Sequence, residues 1–392
     1  MDPSYLTQSV HAGREDLTDL GVHAPPLDYS STYPIRDLEQ GIASIDAFIE
    51  GEPRAQNPIY SRLFNPTVDR WERAVAQLEG AQAGCVAFSS GMAGSTAVLM
   101  ALRVLSANDG APRNHVVAVR PLYGGTDHLL ASGLMGLEVT WAEADEIAKA
   151  IRKDTGLIWI ETPANPTLHV VDIAAVSKAA ADVPVIVDNT FSTPILQRPI
   201  EHGAALVLHS ATKFLGGHGD VLAGVVACKD ERWAAALRQV RIVTGGVLHP
   251  QAAWLLHRSL QTLSLRVQQA QNNAKELVAW LRSREEVLKV FYPDDCQVAK
   301  RQMDGPGALL ALEVKGGHEA AARVMAKVKL CTPAVSLGST DTLIQHPAGL
   351  THRLVEESAR EKLGITENLL RISVGIENPA DIISDLEQAL TP

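Results

Sequence analysis

The sequence predicts an α/β protein: a mainly parallel sheet covered by helices on both faces, followed by a smaller α+β domain. Three observations carry this expectation. Short apolar runs alternate with helix-spaced segments from about residue 68 to about residue 228. A long helical stretch follows, over roughly residues 251–283. Beyond it lie the strand-like runs VLKVFY, ALLALEV and LLRISVG.

Taken in order, residues 1 to about 65 hold scattered prolines (Pro25, Pro26, Pro34, Pro53, Pro58) and little periodicity. They read as an extended arm that lies on another subunit, because an arm of that length buries little of itself. VDRWERAVAQLEGA then has helical spacing, GCVAFS is a strand and GMAGSTAVLMALRVL is a helix. HVVAV, LEVTW, GLIWIE, VPVIVD, ALVLHS and AGVVAC are further strands, with EADEIAKAIRK and DIAAVSKAAA as helices between them. The expected division is an arm over residues 1–65, a large α/β domain over 66–255 and an α+β domain over 256–392. Ligands of open α/β sheets sit beyond the carboxyl ends of the strands. Ser89-Ser90-Gly91, Glu161, Asp188-Asn189 and His209-Ser210 end these runs and should converge on one crevice.

The 392 residues are 46% hydrophobic and 20% charged, with net charge −10. That balance gives no general attraction to nucleic acid or anionic lipid. The four cysteines are widely spaced, which argues against a zinc site or a disulfide framework and for a reducing cytoplasm. The N-terminal segment is polar and carries acids, unlike a targeting peptide, and no run of about 18 apolar residues occurs.

Several motifs carry chemistry. In SATKFLGGHGD (210–220), Lys213 follows a strand end between the hydroxyls of Ser210 and Thr212. Its amine can form an imine with an aldehyde cofactor, and the hydroxyls can bind a phosphate; a surface lysine in a glycine-rich loop is the alternative. SSGMAGS (89–95) offers Gly91 and Met92 at a helix N-terminus, a phosphate cradle or simply a turn. Asp188 ends the apolar strand in VPVIVDNTF, where a carboxylate needs a partner such as a pyridinium N–H, or serves as a helix cap. Tyr123 in PLYGGT can stack on a cofactor ring and pass a proton, or be a buried structural tyrosine. Tyr60 and Arg62 alternate in IYSRLFNPT and would face one side of an extended segment. Arginine suits bidentate phosphate binding, and the arm would bring both residues to a neighbour's site; a solvated arginine is the competing reading. Arg371 lies inside the apolar run LLRISVGIE, so it needs a substrate carboxylate or a structural ion pair.

Together, TQSVHAG, YSRLFNPT, FSSGMAG, ETPANPT, VDNTF, SATKFLGGHGD and LLRISVGIE resemble the γ-family of fold-type I pyridoxal-5′-phosphate (PLP) enzymes, the Cys/Met metabolism group. The resemblance covers nearly the whole chain. It implies an aspartate aminotransferase-like fold with a seven-stranded sheet in the large domain. It also implies PLP as cofactor, a small sulfur amino acid as substrate, and a homotetramer built from two active dimers. Residue by residue, it makes Lys213 the amine that carries the cofactor and moves protons. It sets Asp188 against the pyridine nitrogen and Tyr123 against the ring, with Tyr123 as acid for the leaving thiol. Ser90, Gly91, Met92, Thr190, Ser210 and Thr212 complete the cofactor site, joined by Tyr60 and Arg62 of the partner chain. Asn165, Val335, Ser336 and Arg371 fall to the substrate.

Within the family, AVSLGSTDTLIQHPAGLTH (334–352) and VTGGVLHP (243–250) look most like the methionine-cleaving members. Val335 stands where cystathionine enzymes typically carry a glutamate, which would suit cystathionine's distal ammonium. The resemblance therefore implies α,γ-elimination of L-methionine to methanethiol, ammonia and 2-oxobutanoate. The chain departs from those members at Gly125, where they typically have cysteine, and at Arg241-Ile242, where they have Lys-Asp. It departs from the family at Gln261, usually lysine. Cystathionine γ-elimination and γ-replacement on an activated homoserine are the alternatives inside the family. A catalytically silent scaffold with this fold is the alternative outside it.

Overall fold

A computed structural model describes residues 4–353 and 355–391; the first three residues of the expected arm, position 354 and the last residue lie outside the described residues. Among the described residues, twelve strands form two sheets. The first contains β1 (Cys85–Phe88), β2 (His115–Val119), β3 (Glu138–Ala142), β4 (Thr155–Glu161), β5 (Val185–Asp188), β6 (Leu206–His209) and β7 (Gly224–Cys228). Their order across the sheet is β1-β7-β6-β5-β4-β2-β3. β7 alone runs antiparallel to its neighbours, so the expected mainly parallel seven-stranded sheet is what forms. The second contains β8 (Val287–Phe291), β9 (Leu309–Val314), β10 (Thr332–Pro333), β11 (Leu343–Gln345) and β12 (Leu369–Ser373), in the order β10-β11-β12-β9-β8.

Apart from the edge strand β3, the first sheet is buried on both faces, as its continuous apolar strands require. Val86, Val116, Trp159, Ile186 and Val226 meet the helix Gly91–Asn108 on one side, while Val117, Ile158, Ile160 and Val187 pack with Ile173 and Val176 on the other. Each such large side chain contributes about 1.5–3 kcal/mol when fully buried. Helix starts follow local chemistry. Asn65 accepts from the N–H groups of Thr67 and Val68 at 3.0 and 3.2 Å, and Pro66 opens the helix Pro66–Glu79.

Three expectations need adjustment. The arm is not extended throughout: it contains the helices Tyr5–His11 and Leu38–Glu50. Asp37 caps the second by accepting from Gln40 N–H at 3.2 Å, and Gly51 ends it in the left-handed region. This helix buries Gly41, Ser44 and Phe48 but exposes Leu38, Ile42, Ile45 and Ile49. The long helix expected over 251–283 breaks into Pro250–Leu260 and Leu263–Leu281. At the break Arg266 turns back, donating to Ser259 O at 3.0 Å and to Phe214 O at 2.8 Å. The helix expected in EADEIAKAIRK shrinks to Ile147–Ala150. Among the described residues no helix is long and apolar enough to cross a membrane.

Candidate active site

The carboxyl ends of β1, β2, β4, β5 and β6 open into a cavity of about 1090 Å³, closed from the other side by residues 334–343 and by β12. Lining it are Ser90, Gly91, Met92, Tyr123, Asn165, Asp188, Thr190, Ser210, Thr212, Lys213, Val335, Ser336 and Arg371, so most of the residues singled out in the sequence come together. Tyr60 and Arg62 do not line it. They sit side by side outside, the guanidinium 5.5 Å from the Tyr60 ring centre and donating to Ile242 O at 2.8 Å. Tyr60 is 44% exposed. Ser89, Asn189 and His209 also miss the cavity. Neighbouring residues along a strand face opposite sides. Leu208 therefore lines the cavity while His209 turns away to Glu79, 2.5 Å from Nε2 to Oε1, with Asn189 bonded to the same oxygen at 3.3 Å.

The floor is built from strand ends. Asp188 Oδ1 accepts the Thr190 N–H at 3.0 Å and the Thr190 hydroxyl at 2.5 Å, and Thr190 Oγ1 in turn accepts the Ser210 N–H at 2.9 Å. Both bonds to Asp188 fall on Oδ1, so its Oδ2 takes none from the described residues. Burial pushes the Asp188 carboxyl above the usual range, opposed by the Thr190 bonds and by His209. Gly91 opens the helix Gly91–Asn108 against Ser210: a Cβ at position 91 would come within 3.0 Å of the Ser210 Cβ. Helix N-terminus and serine hydroxyl thus meet in a small concave cradle suited to an anion. Ser90 caps this helix, accepting from Ala93 N–H at 3.1 Å. The Thr212 hydroxyl is engaged with Ala223, donating to its carbonyl at 3.2 Å and accepting from its N–H at 3.0 Å.

Lys213 stands in the turn after β6 and donates from Nζ to Ser336 Oγ at 2.9 Å. Burial, and then the Arg371 charge, push its amine down to about 8, so near neutral pH an appreciable fraction is unprotonated. Arg266 braces this turn from below through Phe214 O. The opposing loop reaches it only because position 338 is glycine: at φ 75° a Cβ would lie 2.5 Å from Phe214 N. Ser336 itself sits at φ 130°, a conformation that side-chain-bearing residues rarely adopt, at a cost of roughly 1–3 kcal/mol.

Arg371 lies in the middle of β12. Leu370 and Ile372 enter the main core, and Arg371 points from the other face into the cavity. It donates to Asn165 Oδ1 at 2.9 Å and to the Ser336 carbonyl at 2.5 Å. Gln345, its partner on β11, presents its amide oxygen to the guanidinium at 3.2 Å once the amide is oriented to satisfy both groups. No carboxylate of the described residues forms a salt bridge with it, and burial lowers its pKa to about 10. A buried cation held only by neutral oxygens leaves room for an anion.

Glu161 and the leucines at the cavity mouth were given no role from the sequence. Glu161, named only as a strand end, lies buried in the cavity wall, its carboxyl pushed well up by burial and by Asp188. Its signal was present: an acid closing the otherwise apolar run GLIWIE. The cavity mouth is apolar, with Leu222, Leu350 and Val335 exposed at 69%, 46% and 55%. Val335 and Leu350 share the segment 334–352, whereas Leu222 comes from the loop after Lys213, and no local pattern joins it to them.

The model of the Cys/Met metabolism PLP-dependent enzymes matches residues 6–391. The chain is 52% identical to an L-methionine γ-lyase of Streptomyces avermitilis, covering 98% of this chain and 88% of that protein. It is 43% identical to an L-methionine γ-lyase of Fusobacterium nucleatum, covering 98% and 97%. Among solved structures, a cystathionine γ-synthase of Xanthomonas oryzae superposes with a TM-score of 0.90 at 32% identity, covering 100% of this chain and 98% of that one. A cystathionine γ-lyase of Micromonospora echinospora gives 0.88 at 37%, each chain covered completely. An amine, a carboxylate and a guanidinium on one cavity, in a frame shared across the full length of these proteins, place the chain in the family of Cys/Met metabolism PLP-dependent enzymes.

Proposed function

We propose that this protein is a PLP-dependent carbon–sulfur lyase that converts L-methionine and water to methanethiol, ammonia and 2-oxobutanoate. The observation that carries this reading is the grouping of Lys213, Asp188 and Arg371 on one cavity, each with capacity left for a ligand. The apolar mouth, with Val335 at its rim, supports a thioether rather than a second charged group. Relatives that carry the methionine γ-lyase name support the same choice.

The residues fit the cofactor: Lys213 would bind it covalently, Asp188 backed by Thr190 would hold its ring nitrogen protonated, and Tyr123 would face its ring. Gly91, Met92 and Ser210, beside Ser90, would take its phosphate, joined by Thr212 once its hydroxyl turns from the Ala223 carbonyl. When bound, PLP supplies an electron sink for the bonds broken at Cα and Cβ. Arg371, with Asn165 and Ser336, binds the substrate carboxylate and fixes which end of the molecule lies deep. The Lys213 amine, at the cavity floor and donating to Ser336 Oγ, would take the Cα proton and then serve at Cβ. The Tyr123 hydroxyl protonates the departing sulfur. Val335, Leu222 and Leu350 would offer apolar surface to the S-methyl group at the mouth.

Tyr60 and Arg62 are exposed but lie outside their own chain's cavity, which supports their completing a neighbour's phosphate site within a homotetramer of active dimers. The exposed apolar face of the helix Leu38–Glu50 would be covered in that assembly. The proposed domain division is 1–65, 66–255 and 256–392. A substrate panel tests the activity: methionine, cystathionine, cysteine, homocysteine and O-acetylhomoserine are compared by 2-oxo acid and thiol release. Methanethiol from methionine is expected to dominate; cystathionine cleaved tenfold faster would overturn the choice.

A further inference from the structure

Glu161 takes no part in the steps above, yet it touches the residues on both sides of them. It closes β4, a strand buried throughout, and its register partner on β5 is Asp188. A carboxylate in that position is costly unless both oxygens are bonded. Each has its own donor: Oε2 accepts the Tyr123 N–H at 2.5 Å, and Oε1 accepts the Asn165 N–H at 2.9 Å. The two donors come from different loops. Tyr123 precedes the helix Gly124–Ala131 after β2 and carries the phenol assigned to the leaving sulfur. Asn165 follows β4 and holds Arg371 through its side-chain oxygen at 2.9 Å.

We infer that Glu161 is a positioning residue: one buried carboxylate fixes the Tyr123 loop and the Asn165–Arg371 carboxylate clamp in a single register. A substrate held at its carboxylate then presents its sulfur to the phenol. The inference rests on the function proposed above. It needs a group with two acceptor oxygens, since a glutamine can serve one N–H but must face the other with its own NH₂. An aspartate keeps both carboxyl oxygens but is one methylene short of spanning both loops.

The test uses the cofactor-loaded Glu161→Gln and Glu161→Asp enzymes beside wild type. Two ligands are titrated by the change in the visible band: L-norleucine, methionine's shape without the leaving sulfur, and n-pentylamine, which also lacks the carboxylate. Freeing the Asn165 arm is expected to weaken norleucine about tenfold, the scale of one charge-assisted hydrogen bond, with pentylamine unchanged. Freeing the Tyr123 arm is expected to lower kcat on methionine about tenfold at unchanged norleucine affinity. Each variant should show at least one of these. A loaded variant that shows neither, or that weakens norleucine and pentylamine equally, overturns the inference. Failure of both variants to fold or load overturns it too, because the role would then be structural. If wild type does not cleave methionine, the proposed activity fails, while the norleucine–pentylamine comparison still judges Glu161.

Discussion

The two walls of the crevice hold their polar groups in different ways. On the sheet wall the bonds close on themselves: Ser210 N–H to Thr190, and Thr190 to Asp188 Oδ1. On the opposite wall they cross the gap: Ser336 Oγ accepts from Lys213, and Arg371 donates to Asn165. The sheet wall is therefore set before any ligand arrives. On the second wall the Arg371 guanidinium is held by neutral oxygens with no carboxylate in salt-bridge reach among the described residues, so it can take an anion. Strain at Ser336, φ 130°, lies on this second wall as well. One wall is suited to a resident group and the other to an exchanging substrate.

Substitutions can break that contrast. On the proposed reading, Lys213→Ala should lower methionine turnover at least about 10³-fold, the scale of a lost proton-transfer group, measured by 2-oxobutanoate release. Near-normal turnover would remove Lys213 from the chemistry. Arg371→Ala should raise KM roughly 10- to 100-fold while leaving cofactor binding intact, since it belongs to the exchanging wall. A variant that loses cofactor instead would erase the distinction between the walls. Val335→Glu should shift the methionine-to-cystathionine preference in kcat/KM by about tenfold toward cystathionine. No shift would remove the mouth as a discriminator. The smallest effect concerns pH. In the cofactor-free protein the Lys213 amine titrates near 8, against 10.5 for a free lysine. Between those values the unfolded chain binds more protons, so this group makes stability rise with pH. Lys213→Met should therefore gain less stability than wild type between pH 8 and 10, read from paired thermal melts. Equal gains would place the amine in water.

The sheet wall was legible in the sequence and the second wall only partly. SATKFLGGHGD, VPVIVDNTF and SSGMAGS each join a strand end to its polar group within a few residues, so local pattern is enough to place Lys213, Asp188 and Gly91. Arg371 was legible as a misplaced charge in an apolar strand, but its partners Asn165 and Gln345 are set by tertiary packing. Strand alternation settles which strand-end residues face the cavity, and it took His209 and Asn189 out. The helix Leu38–Glu50 was hidden by its proline-rich surroundings, although Asp37 and Gly51 mark its ends. Its Leu38, Ile42, Ile45 and Ile49 recur at helical spacing, so the pattern was present in the sequence, but the face they form is exposed rather than packed on the core.

The central claim is that Lys213 carries the cofactor. Protein loaded with PLP is reduced with borohydride, digested, and mapped by mass spectrometry for the pyridoxyl group. The adduct is expected on the peptide containing SATKF, at Lys213. An adduct on a different lysine, or none at all from fully loaded protein, would contradict it.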